Sequence, residues 1–210
     1  MKIKQLSILT AITMAFFACA NESTETAETL TDETQVEEAA PVSYSVNTET
    51  SKVAWKGSMV GVYAHEGDVN VSQGTIEVTN GVVSGGDFTI DLTTIITTDD
   101  DALYKMAPRE KLVEHLKADD FFGVETHPLA TFTVKSVNGS TVVGELTIKG
   151  VTNEETVQNV VVSEDNGTVT ATGKLTFDRQ KYGVKYKNTM NDMVLSDDIE
   201  LTINLTGSSN

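Results

Sequence analysis

From residue 42 to the C-terminus, apolar and polar residues alternate in one short run after another, and this pattern limits the fold more tightly than any other feature. In KVAWKG, Val53 and Trp55 share a face, and GTIEV sets Ile76 with Val78. GDFTIDLTTI aligns Phe88, Ile90 and Leu92 against Asp87, Thr89, Asp91 and Thr93. TFTV gives Phe132 and Val134, and TVVGELTIKG gives Val142, Leu146 and Ile148 opposite Glu145, Thr147 and Lys149. TATGKLTFD pairs Leu175 with Phe177, and DIELTINLTG sets Ile199, Leu201, Ile203 and Leu205 against Glu200, Thr202 and Asn204. A period of two, with threonine and charge on one side, marks strands with one dry and one wet face.

Between these runs fall Asn80-Gly81, Gly85-Gly86, Asn138-Gly139 and Asn166-Gly167, the dipeptides that hairpin turns favour. Eight or nine strands joined this way predict an all-β, antiparallel domain, either an up-and-down barrel or a sandwich, which periodicity alone does not separate. One interruption stands out, at residues 101–123. Pro108 suits a first helical turn, and Leu112, Val113 and Leu116 form one apolar stripe, so a short amphipathic helix is expected over Ala107–Lys117.

The N-terminal segment reads differently. Lys2 and Lys4 precede an apolar run from Leu6 to Phe17, which ends in small residues around Cys19. This is the layout of a secretory signal over residues 1–18, too short for a comfortable membrane span. Phe16-Phe17-Ala18-Cys19 is similar to a bacterial lipoprotein box, in which Cys19 is lipidated. Ordinary secretion at Ala18-Cys19-Ala20 is the competing reading. Because Cys19 is the sole cysteine, no internal disulfide framework exists. Residues 19–41 are acidic and poor in apolar side chains, so a disordered tether is expected there. The expected location is therefore outside the inner membrane, in the periplasm or anchored at the outer membrane.

The net charge of −16 restricts partners. Residues 41–210 carry 13 bases against 24 acids. Nucleic acid is a poor partner for such a surface, because neutralising phosphates needs lysine and arginine in number.

Two segments invite a chemical reading. KLVEHLKADDFFGVETHPLATF, residues 111–132, gathers Glu114, His115, Asp119, Asp120, Glu125 and His127 around two phenylalanines. The three histidines, His65, His115 and His127, have no metal-ligand spacing, and no H-E-x-x-H pair is present. No metal site or cofactor is expected. Nothing in the segment fixes a carboxylate separation for acid–base work, and nucleophile motifs are missing. The second segment, DRQKYGVKYKN, alternates Tyr182, Val184 and Tyr186 with Arg179, Lys181, Lys185 and Lys187. It reads either as a solvated strand face or as a cationic collar at one end of a barrel.

The series KVAWKG, HEG at 65–67, GG-F-x-I-D at 85–91, residues 111–132, GELTIKGVT at 144–152 and DRQKYGV at 178–184 resembles the YceI-like family. The resemblance spans residues 42–206. It implies an extended, eight-stranded, lipocalin-like barrel whose apolar pore holds a long isoprenoid or similar lipid, and it implies no catalytic residues. Residues 111–132 would then supply the helix and the following strand. Leu112, Leu116, Phe121 and Phe122 would face the pore or its entrance, with the acids and His115 turned outward.

The expected lining is Trp55, Phe88, Ile90, Leu92, Phe132, Val134, Leu146, Ile148, Leu175 and Phe177, each on the apolar face of a strand. Arg179 is the candidate contact for a polar end group. The expected partners are an apolar lipid ligand, such as a polyisoprenoid or an isoprenoid quinone, and the membrane through the Cys19 anchor. A homodimer is left open. The rival readings are an adhesion or structural β-domain with a filled core, and an extracytoplasmic enzyme using a histidine.

Overall fold

The computed structural model describes residues 39–105, 107–186 and 194–209. Cys19, the expected signal and nearly all of the expected tether lie outside them. Nine strands form one antiparallel sheet: β1 (Val42–Val46), β2 (Lys52–Met59), β3 (Tyr63–Thr79), β4 (Val82–Thr97), β5 (Leu129–Asn138), β6 (Thr141–Ile148), β7 (Val151–Asp165), β8 (Thr168–Asp178) and β9 (Leu195–Ser209). Each strand from β2 to β9 pairs with the next, and β9 returns to β2. The sheet is a closed up-and-down barrel, and closure removes the free edges that a sandwich would leave.

The first strand is broken. β1 pairs with the end of β3 at Val78 and with β9 at Ser209, while β2 pairs with Asn70 of β3 and Asn204 of β9. The two segments thus lie end to end in one gap and make a single stave, interrupted at residues 47–51. Ser51 bridges the interruption, its Oγ donating to the Thr206 carbonyl at 3.1 Å and accepting from the Thr206 N–H at 3.0 Å. The barrel therefore has eight staves and one extra strand.

Its two ends are built differently. At one end the connections are tight turns at Asn80-Gly81, Gly139-Ser140 and Asn166-Gly167, where the Asn-Gly pairs hold both φ angles positive as a twisted hairpin requires. We call this the hairpin end. The other end carries two long connections, residues 98–128 and 179–194, and the turns at 60–62 and 149–150. Helix α1 (Arg109–Lys117) lies in the first of these, so this is the helix end.

Several local expectations require correction. Pro108 has an extended ψ of 151° and stands at the N-cap, so the helix begins at Arg109 rather than Ala107. Gly85-Gly86 lies inside β4, not in a turn; a Cβ on Gly86 would sit 2.6 Å from the Thr75 carbonyl and crowd Phe88. Lys149, expected on a strand face, takes φ 52° beside Gly150 and forms the β6–β7 turn. DRQKYGV is not a strand: Arg179–Tyr182 is a 3-10 turn closed by Gly183 at φ 75°. Tyr182 and Val184 are fully buried beneath it.

Candidate ligand-binding cavity

The inward faces of the staves do not meet. They enclose a cavity of about 350 Å³, within the usual size range of ligand pockets and far beyond the space of a single water. Its wall is almost wholly apolar. It runs from Met59 and Tyr63 at the helix end, past Trp55, Val71 and Leu175, to Val83, Val142 and Leu205 near the hairpin end. Beyond those residues Tyr44, Val78 and Val169 belong to the buried core but do not line the cavity. They fill the hairpin end, where the absent side chain of Gly207 leaves room for Tyr44 and Val169.

Glycines on the strands position two of the lining rings. A Cβ on Gly144 would lie 2.3 Å from the Phe132 ring, and one on Gly74 would lie 2.8 Å from Phe88. Each ring lies over a bare stretch of backbone on the neighbouring strand, which fixes its position.

The structure places thirteen of the expected site residues around this space. Trp55, Phe88, Ile90, Leu92, Phe132, Leu146, Ile148, Leu175 and Phe177 line it from the strands; Leu112 and Leu116 from α1; Phe121 and Phe122 from the segment after it. The sidedness of the helix follows from its spacing. Leu112 and Leu116, four residues apart, share one face, while Lys111 and Glu114 pair in solvent at 2.7 Å. Lys117 Nζ donates to the Thr93 carbonyl at 2.6 Å, and Lys149 Nζ to the Asp119 carbonyl at 2.7 Å, fastening both ends of the segment to the barrel. Asp119, Asp120 and Glu125 are exposed.

Two expected residues are elsewhere. Val134 packs against the core next to the β5–β6 bulge but is not part of the cavity wall. Arg179 is 3% exposed and faces the loop, not the cavity. Its Nε donates to the Ser196 carbonyl at 3.0 Å, Nη1 to the Val184 carbonyl at 2.7 Å and Nη2 to Asp197 at 2.9 Å. With each nitrogen engaged, it ties together the connection between β8 and β9 instead of forming a collar. His115 departs from expectation in the opposite sense. It lines the cavity, with its ring edge-on to Tyr186 at 4.4 Å and to Phe121 at 5.5 Å, and Nε2 3.3 Å from Asp120.

A polar cluster at the helix end has no counterpart in the sequence reading. His65, which lines the cavity, places Nδ1 2.7 Å from Asp99 Oδ2. Asp99 is 8% exposed and also receives the Glu66 N–H at 3.1 Å, the Tyr104 hydroxyl, and Arg109 Nη1 at 3.2 Å. Arg109 lies 4.3 Å over the Tyr104 ring and reaches Asp101 at 2.6 Å. Burial alone would push the Asp99 carboxyl up. The hydrogen bonds from Tyr104, His65 and the Glu66 amide outweigh it and hold the carboxyl below its ordinary value, so it is ionised at neutral pH.

The cluster forms because Gly67 pairs with Thr97, which brings Asp99 across from His65. Only glycine fits there, since a Cβ on Gly67 would be 1.9 Å from the Ile96 carbonyl oxygen. That oxygen also accepts the Trp55 indole N–H at 3.2 Å. The acid run Asp99-Asp100-Asp101 followed by Tyr104 and Arg109 was the visible signal; the register joining it to His65 was not. Among the described residues, no group of three or more histidine, cysteine, aspartate or glutamate side chains is placed to hold a metal.

A long-stranded antiparallel barrel around an apolar cavity agrees with the comparison of the sequence with known families. Residues 44–207 match the model of the YceI-like domain. The chain belongs to the YceI-like family. Among curated proteins, this YceI-like chain is similar to UPF0312 proteins of Staphylococcus aureus, at 46% identity over 84 residues. That match covers 36% of this chain and 48% of the relative, so the chain spans about half the length of the curated relatives it matches.

Among solved structures, Burkholderia cenocepacia BcnA aligns with a TM-score of 0.62 at 23% identity, covering 77% of this chain and 98% of that one. A polyisoprenoid binding domain from Saccharophagus degradans, implicated in plant cell wall breakdown, aligns with a TM-score of 0.54 at 14% identity, covering 80% and 99%. At these identities the structural likeness speaks to the fold.

Proposed function

We propose that this protein binds one long apolar chain, of polyisoprenoid or similar lipid type, inside its barrel and carries or sequesters it in the cell envelope without transforming it. The observation that carries the proposal is the cavity: about 350 Å³ of space with an almost wholly apolar wall. The filled-core alternative, a structural β-domain, does not describe this interior. Apolar wall and apolar guest would exchange water contacts for each other, at about 0.8 kcal/mol for each buried methylene. An isoprene unit of five carbons is worth about 3–4 kcal/mol on that scale, before the cost of ordering a flexible chain. Family membership supports the reading, as does the description of the Saccharophagus degradans neighbour as a polyisoprenoid binding domain.

Exchange of the guest is assigned to the helix end. There Val60, Val62 and Val194 are 60%, 57% and 64% exposed, and the Val60 N–H donates to the Val194 carbonyl, which makes one apolar rim. Secretion and lipidation at Cys19 would hold such a carrier beside its lipid supply, and intact mass measurement of the membrane fraction tests that part. The cargo is tested by solvent extraction of natively purified full chain followed by mass spectrometry. A long-chain lipid near one per protein is expected; a lipid-free extract together with failure to take up any long-chain isoprenoid sinks the proposal.

A further inference from the structure

We infer that His65 is the head-group contact of the cavity and that it selects a chain ending in an uncharged hydroxyl, an isoprenoid alcohol. The inference rests on the reading of the cavity as a lipid site and adds the chemistry of the ligand's polar end. Nearly every lining residue is apolar; the side chains with polar atoms are Trp55, Tyr63, His65, His115, Thr172 and Tyr186. The indole N–H of Trp55 is already given to the Ile96 carbonyl. Thr172 lies on β8, opposite Asn204 of β9, away from the long connections. Tyr63, His65, His115 and Tyr186 all belong to the helix end, so a ligand with one polar terminus has one orientation: chain inward, terminus at the mouth.

Within that group His65 is the side chain whose direction and proton are both fixed. The ring stacks on Tyr104 at a centroid distance of 5.4 Å and meets the edge of Tyr63 at 5.1 Å. Nδ1 lies 2.7 Å from Asp99 Oδ2. An ionised carboxylate only accepts hydrogen bonds, so the ring hydrogen is on Nδ1. With the ring neutral, the form the inference adopts, Nε2 carries a lone pair, and it has no hydrogen-bond partner among the described residues. A lone pair at the mouth of an apolar cavity asks for a hydrogen-bond donor. An alcohol supplies one; an ether, an ester or a quinone carbonyl does not.

Charge points the same way. Arg109, the cation that touches Asp99, is already committed to Thr97, Asp99 and Asp101. Arg179 is committed to Asp197 and two carbonyls. The surrounding domain is strongly acidic. A diphosphate terminus would meet occupied arginines and excess negative charge. Asp99 is a positioning residue in this scheme: it touches no ligand and acts by orienting His65 and holding its hydrogen on Nδ1.

The test uses the delipidated full chain and three probes with the same tail: geranylgeraniol, its methyl ether and its diphosphate. A hydrogen bond of ordinary net strength predicts that the alcohol binds roughly three- to tenfold more tightly than the ether. In His65→Phe the preference for the alcohol over the ether should vanish. Nitrogen-15 NMR of the wild-type chain should show His65 protonated at Nδ1 and bare at Nε2, a readout independent of whether the variant folds. Equal affinity of alcohol and ether in the wild type overturns the head-group assignment while leaving the lipid cavity intact. Tighter binding of the diphosphate overturns it in favour of an anion site, and the opposite tautomer removes its basis. Failure of all three probes to bind takes the cavity reading down with it.

Discussion

The hairpin end and the helix end of the barrel are made from the same eight staves, yet one is sealed and the other is equipped. At the hairpin end the chain reverses in two residues, and Tyr44, Val78 and Val169 fill the space between the staves. At the helix end the connections are long, and they supply polar groups at the cavity: Asp99, which holds His65 of β3, and His115 against Tyr186. Closing a barrel with short turns costs little loop entropy but leaves no chain to build a site. The long connections carry that cost and must be tied down, which is the work of Arg179, Arg109, Lys117 and Lys149.

The contrast is open to attack at several points. Arg179→Met removes the three hydrogen bonds that brace the β8–β9 connection and leaves buried carbonyls unpaired. It should cost about 2–4 kcal/mol in denaturant unfolding, with lipid affinity little changed once the protein is folded. Lost binding at unchanged stability would show instead that Arg179 contacts the ligand.

A matched pair of insertions compares the ends directly. Val169→Trp, in the filled end, should destabilise by about 1–3 kcal/mol and leave lipid content intact. Ile148→Trp, on the cavity wall, should cost less than about 1 kcal/mol while displacing the guest, because its extra volume enters space that is already there. Equal stability losses from the two would mean that the wall is as tightly packed as the plug.

A smaller effect concerns pH. The Asp99 carboxyl is held below its ordinary value, so its contribution to stability is complete above the unfolded carboxylate pKa of about 3.9 and is lost as pH falls through the folded value. The stability gap between wild type and Asp99→Asn should therefore narrow as pH falls below about 4. A gap that is unchanged at low pH would mean that Asp99 is not the ionised anchor of the cluster. The smallest effect on stability belongs to the rim. Val60→Asp with Val62→Asp should change unfolding by no more than about 0.5 kcal/mol yet slow lipid transfer from vesicles several-fold. Unaltered transfer would move the entry route away from the helix end.

What the sequence revealed also divides between the ends. The hairpin end was readable because its information is local: Asn80-Gly81 and Asn166-Gly167 state a turn within two residues, and alternation states the faces of the flanking strands. The wall was readable for the same reason, residue by residue from Trp55 to Phe177. β7 is not legible as an alternating strand because its first half is rich in threonine, asparagine and glutamate. A bulge at Asn159, φ 54°, then shifts the inward parity from Val157 to Val160. The helix end resisted because its contacts join distant positions. His65 meets Asp99 through a strand register, and Arg179 looks like a surface base until the loop folds over it. Whether eight amphipathic strands surround a space or fill it is likewise a property of summed side-chain volumes, which no single run displays.

The broken first stave carries one more implication. Val42, its first residue, pairs with Val78 beside the Asn80-Gly81 turn, so β1 enters the barrel at the hairpin end. Force applied through Val42 is therefore borne by the filled side of the barrel, through the rungs that β1 shares with β3 and β9.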